Sequence, residues 1–148
     1  MKKVDIYTDG GSRGNPGPAG AGVAFYNEKG KVFKKYSKYL GDNLTNNEAE
    51  YKAAILALKN FKRLFSSKIA KVSKVKIHSD SQLLVKQMKG EYKIKSEKIK
   101  GLFLKLWNLK TEFLEVKFKF VKREKNKLAD SLVNQALDDQ SKTNKKLL

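Results

Sequence analysis

The chain contains no cysteine, so disulfides, thiolate zinc sites and a cysteine nucleophile are all excluded. Its single histidine, His78, rules out a metal site built from several histidines and argues against a histidine-dependent triad. Both of its prolines, Pro16 and Pro18, fall in one short stretch, and nothing later punctuates the chain so firmly. No apolar run approaches the roughly 18 residues of a membrane-spanning helix, and the N-terminal decapeptide lacks the apolar core of a secretion signal. A soluble, intracellular, cytoplasmic protein with no membrane partner is expected. Acids are scarce as well: 15 Asp+Glu face 33 Lys+Arg, leaving a net charge of +18. Arginine is rarer still, with only Arg13, Arg63 and Arg123 among the basic residues.

That charge balance suits a polyanionic partner, because a folded domain tolerates such self-repulsion best when its target is negative. Nucleic acid is the expected partner, with counterion release supplying much of the affinity. Lysine is a point charge and reads bases poorly, so backbone tracking is favoured over sequence recognition. A solubilising lysine coat would look similar by composition alone. The length of 148 residues is that of one domain able to bury about two-thirds of its unfolded surface.

Alternation of Val4, Ile6 and Thr8 with Asp5, Tyr7 and Asp9 predicts a strand. Residues 10–20 hold so much glycine and proline that they read as a loop. Residues 21–26 and 31–40 read as a hairpin around Asn27-Glu28-Lys29-Gly30. A helix is predicted to begin near Thr45-Asn46-Asn47, where capping side chains precede acids that complement the helix dipole. Further strands are expected over residues 72–79 and 115–121, and helices over residues 81–88, 99–109 and 128–137. The order is β-β-β-α-β-α-α-β-α, an α/β domain with a mixed sheet: three antiparallel strands, then parallel ones. Residues 1–138 form the expected single domain, and residues 139–148 a polar, lysine-bearing tail expected to be flexible.

The glycine loop follows a strand, as a phosphate cradle would, but leads into another strand and not into a helix. The anion-binding logic of a helix N-terminus therefore fails there. The acids say more. Asp9 and Asp80 end strands, Asp130 opens the last helix, and Glu48 or Glu50 opens the first. Each alone has an ordinary explanation in dipole complementarity or solvation. Converging in so basic a chain, they would bind hard divalent cations such as Mg²⁺ or Mn²⁺ through oxygen. Two such ions roughly 4 Å apart can bridge a scissile phosphate, one activating water and the other steadying the leaving oxygen.

The residues then become recognisable. Tyr7-Thr8-Asp9-Gly10-Gly11-Ser12 with Gly14-Asn15-Pro16-Gly17-Pro18 resembles the opening of type 1 ribonuclease H (ribonuclease HI). Thr45-Asn46-Asn47-Glu48-Ala49-Glu50, His78-Ser79-Asp80-Ser81-Gln82 and Ala129-Asp130-Ser131-Leu132 match its other three blocks in order and spacing, over residues 3–137. The resemblance implies a ribonuclease H-like fold with a five-stranded mixed sheet flanked by helices. It implies a catalytic, metal-holding quartet of Asp9, Glu50, Asp80 and Asp130, and its Thr-Asn-Asn/Gln-x-x-Glu pattern selects Glu50 over Glu48. By the same resemblance Asn15, Asn46 and Gln82 would touch the minor groove of the hybrid, where 2′-hydroxyls mark the RNA, and Thr45 would sit by a DNA phosphate.

The sequence departs from the family pattern in three places. Many members carry a histidine before the last aspartate; here residues 121–126 have none, as in the archaeal-like branch, and Arg123 and Glu124 are the candidate substitutes. The basic protrusion near residues 89–110 is short, with Ser96 where relatives often have asparagine. No hybrid-binding module is expected ahead of Asp9. The expected activity is endonucleolytic hydrolysis of the RNA strand of an RNA–DNA hybrid by two Mg²⁺ ions, with Mn²⁺ a substitute, giving 5′-phosphate and 3′-hydroxyl ends. Asp9 would bridge both ions, Glu50 and Asp80 would complete one site, and Asp130 the other. Double-stranded RNA is an alternative partner, and a monomer is expected. The competing readings are a non-catalytic basic binder of hybrid or double-stranded RNA, and a DNA-cutting relative of the same superfamily.

Overall fold

A computed structural model describes residues 2–147, and the surroundings of side chains up to residue 145. The elements run in chain order as β1 (Lys3–Ser12), β2 (Gly17–Tyr26), β3 (Val32–Leu44), α1 (Asn46–Phe65), α2 (Ser67–Ala70), β4 (Lys74–Ser79), α3 (Gln82–Met88), α4 (Glu97–Lys110), β5 (Glu115–Phe120) and α5 (Lys127–Leu147). A single 3₁₀ turn, Arg123–Lys125, precedes α5. The five strands make one sheet in the order β3-β2-β1-β4-β5. β1 is antiparallel to β2 and parallel to β4, and β5 is parallel to β4. No described helix is long and apolar enough to cross a membrane.

The side-chain alternation of a strand decides which face is core. Val4 and Ile6 of β1, Val75 and Ile77 of β4, and Val116 and Phe118 of β5 all point into one cluster beneath α1, α3 and α4. Tyr51, Phe61, Leu58 and Leu84 fill it from the helices and are almost wholly buried. Each such side chain contributes about 1.5–3 kcal/mol through burial. α5 packs on the opposite face, over β2, β3 and part of β1.

Three sequence expectations need correcting. Residues 10–20 are mostly strand, since β1 runs to Ser12, β2 begins at Gly17, and only residues 13–16 turn. Gly10, and Gly22 further along β2, serve helix approach: a Cβ on Gly10 would lie 2.2 Å from the Ala49 carbonyl oxygen, and one on Gly22 would lie 2.1 Å from that of Ala129. Glycine here lets α1 and α5 rest their backbones on the sheet. Second, the helix expected over residues 128–137 runs further, because α5 takes in residues 139–147 of the polar tail, with residue 148 outside the described residues. No glycine or proline interrupts residues 127–147, and the Arg13–Asp138 ion pair at 2.7 Å ties this helix to the first turn. Third, a short helix, α2, caps the α1–β4 connection; Ser66, at φ 112°, accepts from the Ile69 N–H to start it.

Candidate active site

The parallel pairing of β1 with β4 sets Thr8 opposite Ser79, so the next residues, Asp9 and Asp80, emerge side by side where β4 ends and its pairing with β1 stops. This is where open α/β sheets place their sites. Helices deliver the other two acids. Gly10 seats Ala49 and thereby Glu50, one residue on; Gly22, the β2 partner of Asp9, seats Ala129 and thereby Asp130. Each helical acid is thus the neighbour of an alanine whose backbone rests on a glycine beside Asp9.

Asp9, Glu50 and Asp80 each offer a carboxylate oxygen within 4.8 Å of the other two. Asp130 lines the same cleft of about 220 Å³ with Asn46, Arg123 and Asn134. Asp9 and Glu50 are buried, and the Gly10 N–H donates to Glu50 Oε1 at 2.5 Å, fixing that carboxylate. Burial first, then the charges of Asp80 and Asp130, push the Asp9 carboxyl up to about 8. Burial and the charges of Asp9 and Asp80 likewise raise Glu50 well above the ordinary carboxylate range. Such a group of like charges lacks enough positive charge of its own, since Arg123 Nε reaches only to 3.8 Å from Asp80 Oδ2. An all-oxygen, anionic, mutually repelling donor set fits a hard divalent cation.

A family model described as Reverse transcriptase-like matches residues 7–136. The bifunctional protein Rv2228c of Mycobacterium tuberculosis is 36% identical over 136 residues, which cover 92% of this chain and 36% of that protein. The chain therefore spans about a third of the length of its mycobacterial relatives. Ribonuclease H of Caldicellulosiruptor saccharolyticus is 35% identical, with 90% of each chain covered. LC11-RNase H1, solved in complex with an RNA/DNA hybrid, superimposes with a TM-score of 0.87 at 43% identity, covering 93% of this chain and 98% of that one. The chain belongs to the type 1 ribonuclease H family.

The other predicted residues divide into those tied to the carboxylates and those set apart. The Asn46 N–H donates to Asn15 Oδ1 at 3.0 Å, while Asn46 Oδ1 accepts from the Ser12 N–H at 2.9 Å. The first turn and the start of α1 are thereby joined, with both asparagines exposed beside the cleft. Thr45 is the N-cap of α1 and forms a reciprocal capping box with Glu48, so Glu48 works for the helix end and Glu50 faces the site. Gln82, exposed, opens α3 two residues after Asp80. Ser96 caps α4 through the Ile99 N–H. Of the two residues in the histidine-free turn, Arg123 lines the cleft and Glu124 is exposed outside its lining.

Sequence reasoning passed over Asn126. It is buried, its Nδ2 donates to the Thr8 carbonyl at 2.9 Å, and its backbone carbonyl accepts from the Asp130 N–H at 3.1 Å. One side chain therefore fastens the start of α5 to the residue before Asp9. The available signal was an asparagine one residue ahead of a helix in a lysine-rich turn. His78 lies away from the cleft lining, stacked on Tyr7 with centroids 4.3 Å apart and bonded through Nε2 to Asp5 at 2.8 Å. Burial holds it below the ordinary histidine range despite that carboxylate.

Proposed function

We propose that this chain is an endoribonuclease that hydrolyses the RNA strand of RNA–DNA hybrids with the aid of two Mg²⁺ ions, Mn²⁺ serving as a substitute. The observation that carries the reading is the meeting of Asp9, Glu50 and Asp80, with Asp130 lining the same cleft, in a chain of net charge +18. Asp9, Glu50, Asp80 and Asp130 would hold the cations, which when bound supply Lewis-acid charge at the scissile phosphate and lower the pKa of attacking water.

The chain's own residues do the rest. The Gly10 N–H keeps Glu50 aimed at Asp9, so the carboxylates are set before substrate arrives. Asn15 and Asn46, locked to each other and to Ser12, present polar edges suited to 2′-hydroxyls in a minor groove. Gln82, exposed at the start of α3, presents its amide to the same groove, and Thr45, at the start of α1, stands by a phosphate of the DNA strand. Arg123, exposed beside Asp80, is placed to meet the phosphate or the departing strand.

Cleavage of an end-labelled hybrid in Mg²⁺, beside matched DNA–DNA and RNA–RNA duplexes and an Asp9→Asn control, tests the reading. Cutting confined to the RNA of the hybrid and lost in the variant is expected, with 5′-phosphate and 3′-hydroxyl ends. Binding without cutting would leave a basic hybrid-binding protein, and cutting of the DNA duplex would move the chain to a DNA-directed branch.

A further inference from the structure

The face of the sheet opposite the main core is only partly covered. α5 lies over β2, β3 and part of β1, leaving β4, β5 and the lower half of β1 bare. Parallel strands are ordinarily covered on both faces. Here the residues alternating with the buried Val75, Ile77, Val116 and Phe118 are Lys74, Lys76, Lys117 and Lys119, all exposed. Register sets Lys3, Lys74 and Glu115 in one row, Asp5, Lys76 and Lys117 in the next, and Tyr7, His78 and Lys119 in the third. The next step along β1 and β4 on this same face reaches Asp9 and Asp80.

Two of the lysines have an ordinary explanation, because β5 is an edge strand and edge lysines discourage pairing with other chains. That does not account for Lys74 and Lys76, which stand on β4 between two paired neighbours. The acids on this face are already engaged: Asp5 with His78 at 2.8 Å, and Glu115 with Lys117 at 3.5 Å. A groove of about 220 Å³ on this face is lined by Lys3, Lys74, Lys76 and Lys117 together with those two paired acids, Asp5 and Glu115. Above it Tyr7 is half-buried, stacked on His78 and edge-on to Tyr26, presenting aromatic surface among the lysines. Lysines two apart on a strand are about 6.6 Å apart, close to the repeat of a sugar–phosphate chain, and adjacent strands lie about 4.8 Å apart.

We propose that the open β1–β4–β5 face is a second nucleic-acid-binding surface, which holds a single-stranded extension of the substrate running away from the carboxylates. The identity of that strand rests on the hybrid-cleaving function above. Phosphates lie along Lys76, Lys117, Lys119 and Lys74, and an unpaired base meets Tyr7. A single strand fits better than a duplex because aromatic surface is of use only to unpaired bases. Asp80 lies four residues, about 13 Å, beyond Lys76, so one strand can occupy both places.

The test is binding of a short fluorescein-labelled RNA single strand, read by anisotropy across a salt series in chelator, where nothing is cut. The Lys76→Gln/Lys117→Gln/Lys119→Gln variant is compared with Lys59→Gln/Arg63→Gln/Lys68→Gln, which removes equal charge from exposed positions of α1 and α2 on the other face. The first variant is expected to lose about tenfold in affinity and to flatten the salt slope by about 2, at roughly 0.7 per phosphate released, while the second changes little. In Mg²⁺ the first variant should cut a blunt hybrid at the wild-type rate and lose any advantage of a hybrid with a single-stranded overhang. Equal losses in both variants would mean net charge alone and overturn the proposal, as would an equal loss of blunt-duplex affinity. Should the protein cut no hybrid yet show the selective single-strand loss, the proposed function fails and the surface stands.

Discussion

Two residues separate Glu48 from Glu50, and on a helix that sends their carboxylates in different directions. Glu48 returns to the Thr45 N–H at 3.1 Å to close the capping box, whereas Glu50 turns to Gly10 and Asp9. Glu48→Ala should therefore cost about 0.5–2 kcal/mol in a denaturant titration and leave hybrid cleavage nearly intact. Glu50→Gln should do the reverse, abolishing cleavage without loss of stability. Asp9 adds a pH signature. Its carboxyl titrates near 3.8 when unconstrained and about 8 in the fold, so between those values the native protein keeps a proton that the unfolded chain has released. Metal-free stability must then fall as pH rises through that window, by at most about 1.4 kcal/mol per pH unit. Denaturant midpoints of wild type and Asp9→Asn at pH 5 and pH 8 in chelator check this: the variant lacks the Asp9 titration and also relieves the charge that raises Glu50, so its midpoint should fall less with pH than that of the wild type. Parallel curves would sink the argument. Added Mg²⁺ should stabilise the wild type more at pH 8 than at pH 5, because binding has to displace the proton.

At the scale of elements, the site is an outcome of how closely two helices approach a sheet. Gly22→Ala would press a methyl group into the Ala129 carbonyl, 2.1 Å from the ideal Cβ position, and α5 can only move away. The expected cost is about 1–3 kcal/mol, with a fall in kcat because Asp130 travels with Ala129. Gly101 in α4 is the contrasting position, with nothing within 4 Å of its Cβ place. Gly101→Ala should stabilise the protein by about 0.5–1 kcal/mol and leave kcat alone, which thermal melts beside cleavage assays would show. Glycine content by itself could not separate the two. Both letters are the same in the sequence, and only the neighbour across the gap distinguishes them.

For the molecule as a whole, the excess of lysine over acid has to be carried somewhere, and the fold does not spread it evenly. One share lies on helix surfaces, and another forms rows on the bare sheet face that lead to the carboxylates. Hybrid affinity, measured in chelator, should fall at least about a hundredfold between 50 and 200 mM salt, the loss expected for about four phosphate contacts. A weaker dependence would mean that the lysines are a solvation coat.

The strands, the helices and the order in which they follow were legible because period-2 and period-3.6 patterns are local properties of a chain. So were Asp9, Asp80 and Asp130, since scarce acids at element ends in a strongly basic protein already call for an explanation. Other features were not local. Residues 10–12 and 17–20 carry loop composition and yet are strand, because hydrogen bonds to neighbours across the sheet override propensity. Asn126 reads as a turn residue until Thr8, 118 positions earlier, comes within 2.9 Å of it. Thus the sequence alone determined the main strands and helices, how strongly the chain attracts a polyanion and which acids were available. Tertiary structure decided which of those acids meet, how far their mutual repulsion shifts them, and which lysines share a face, because each depends on distances between residues far apart in the chain.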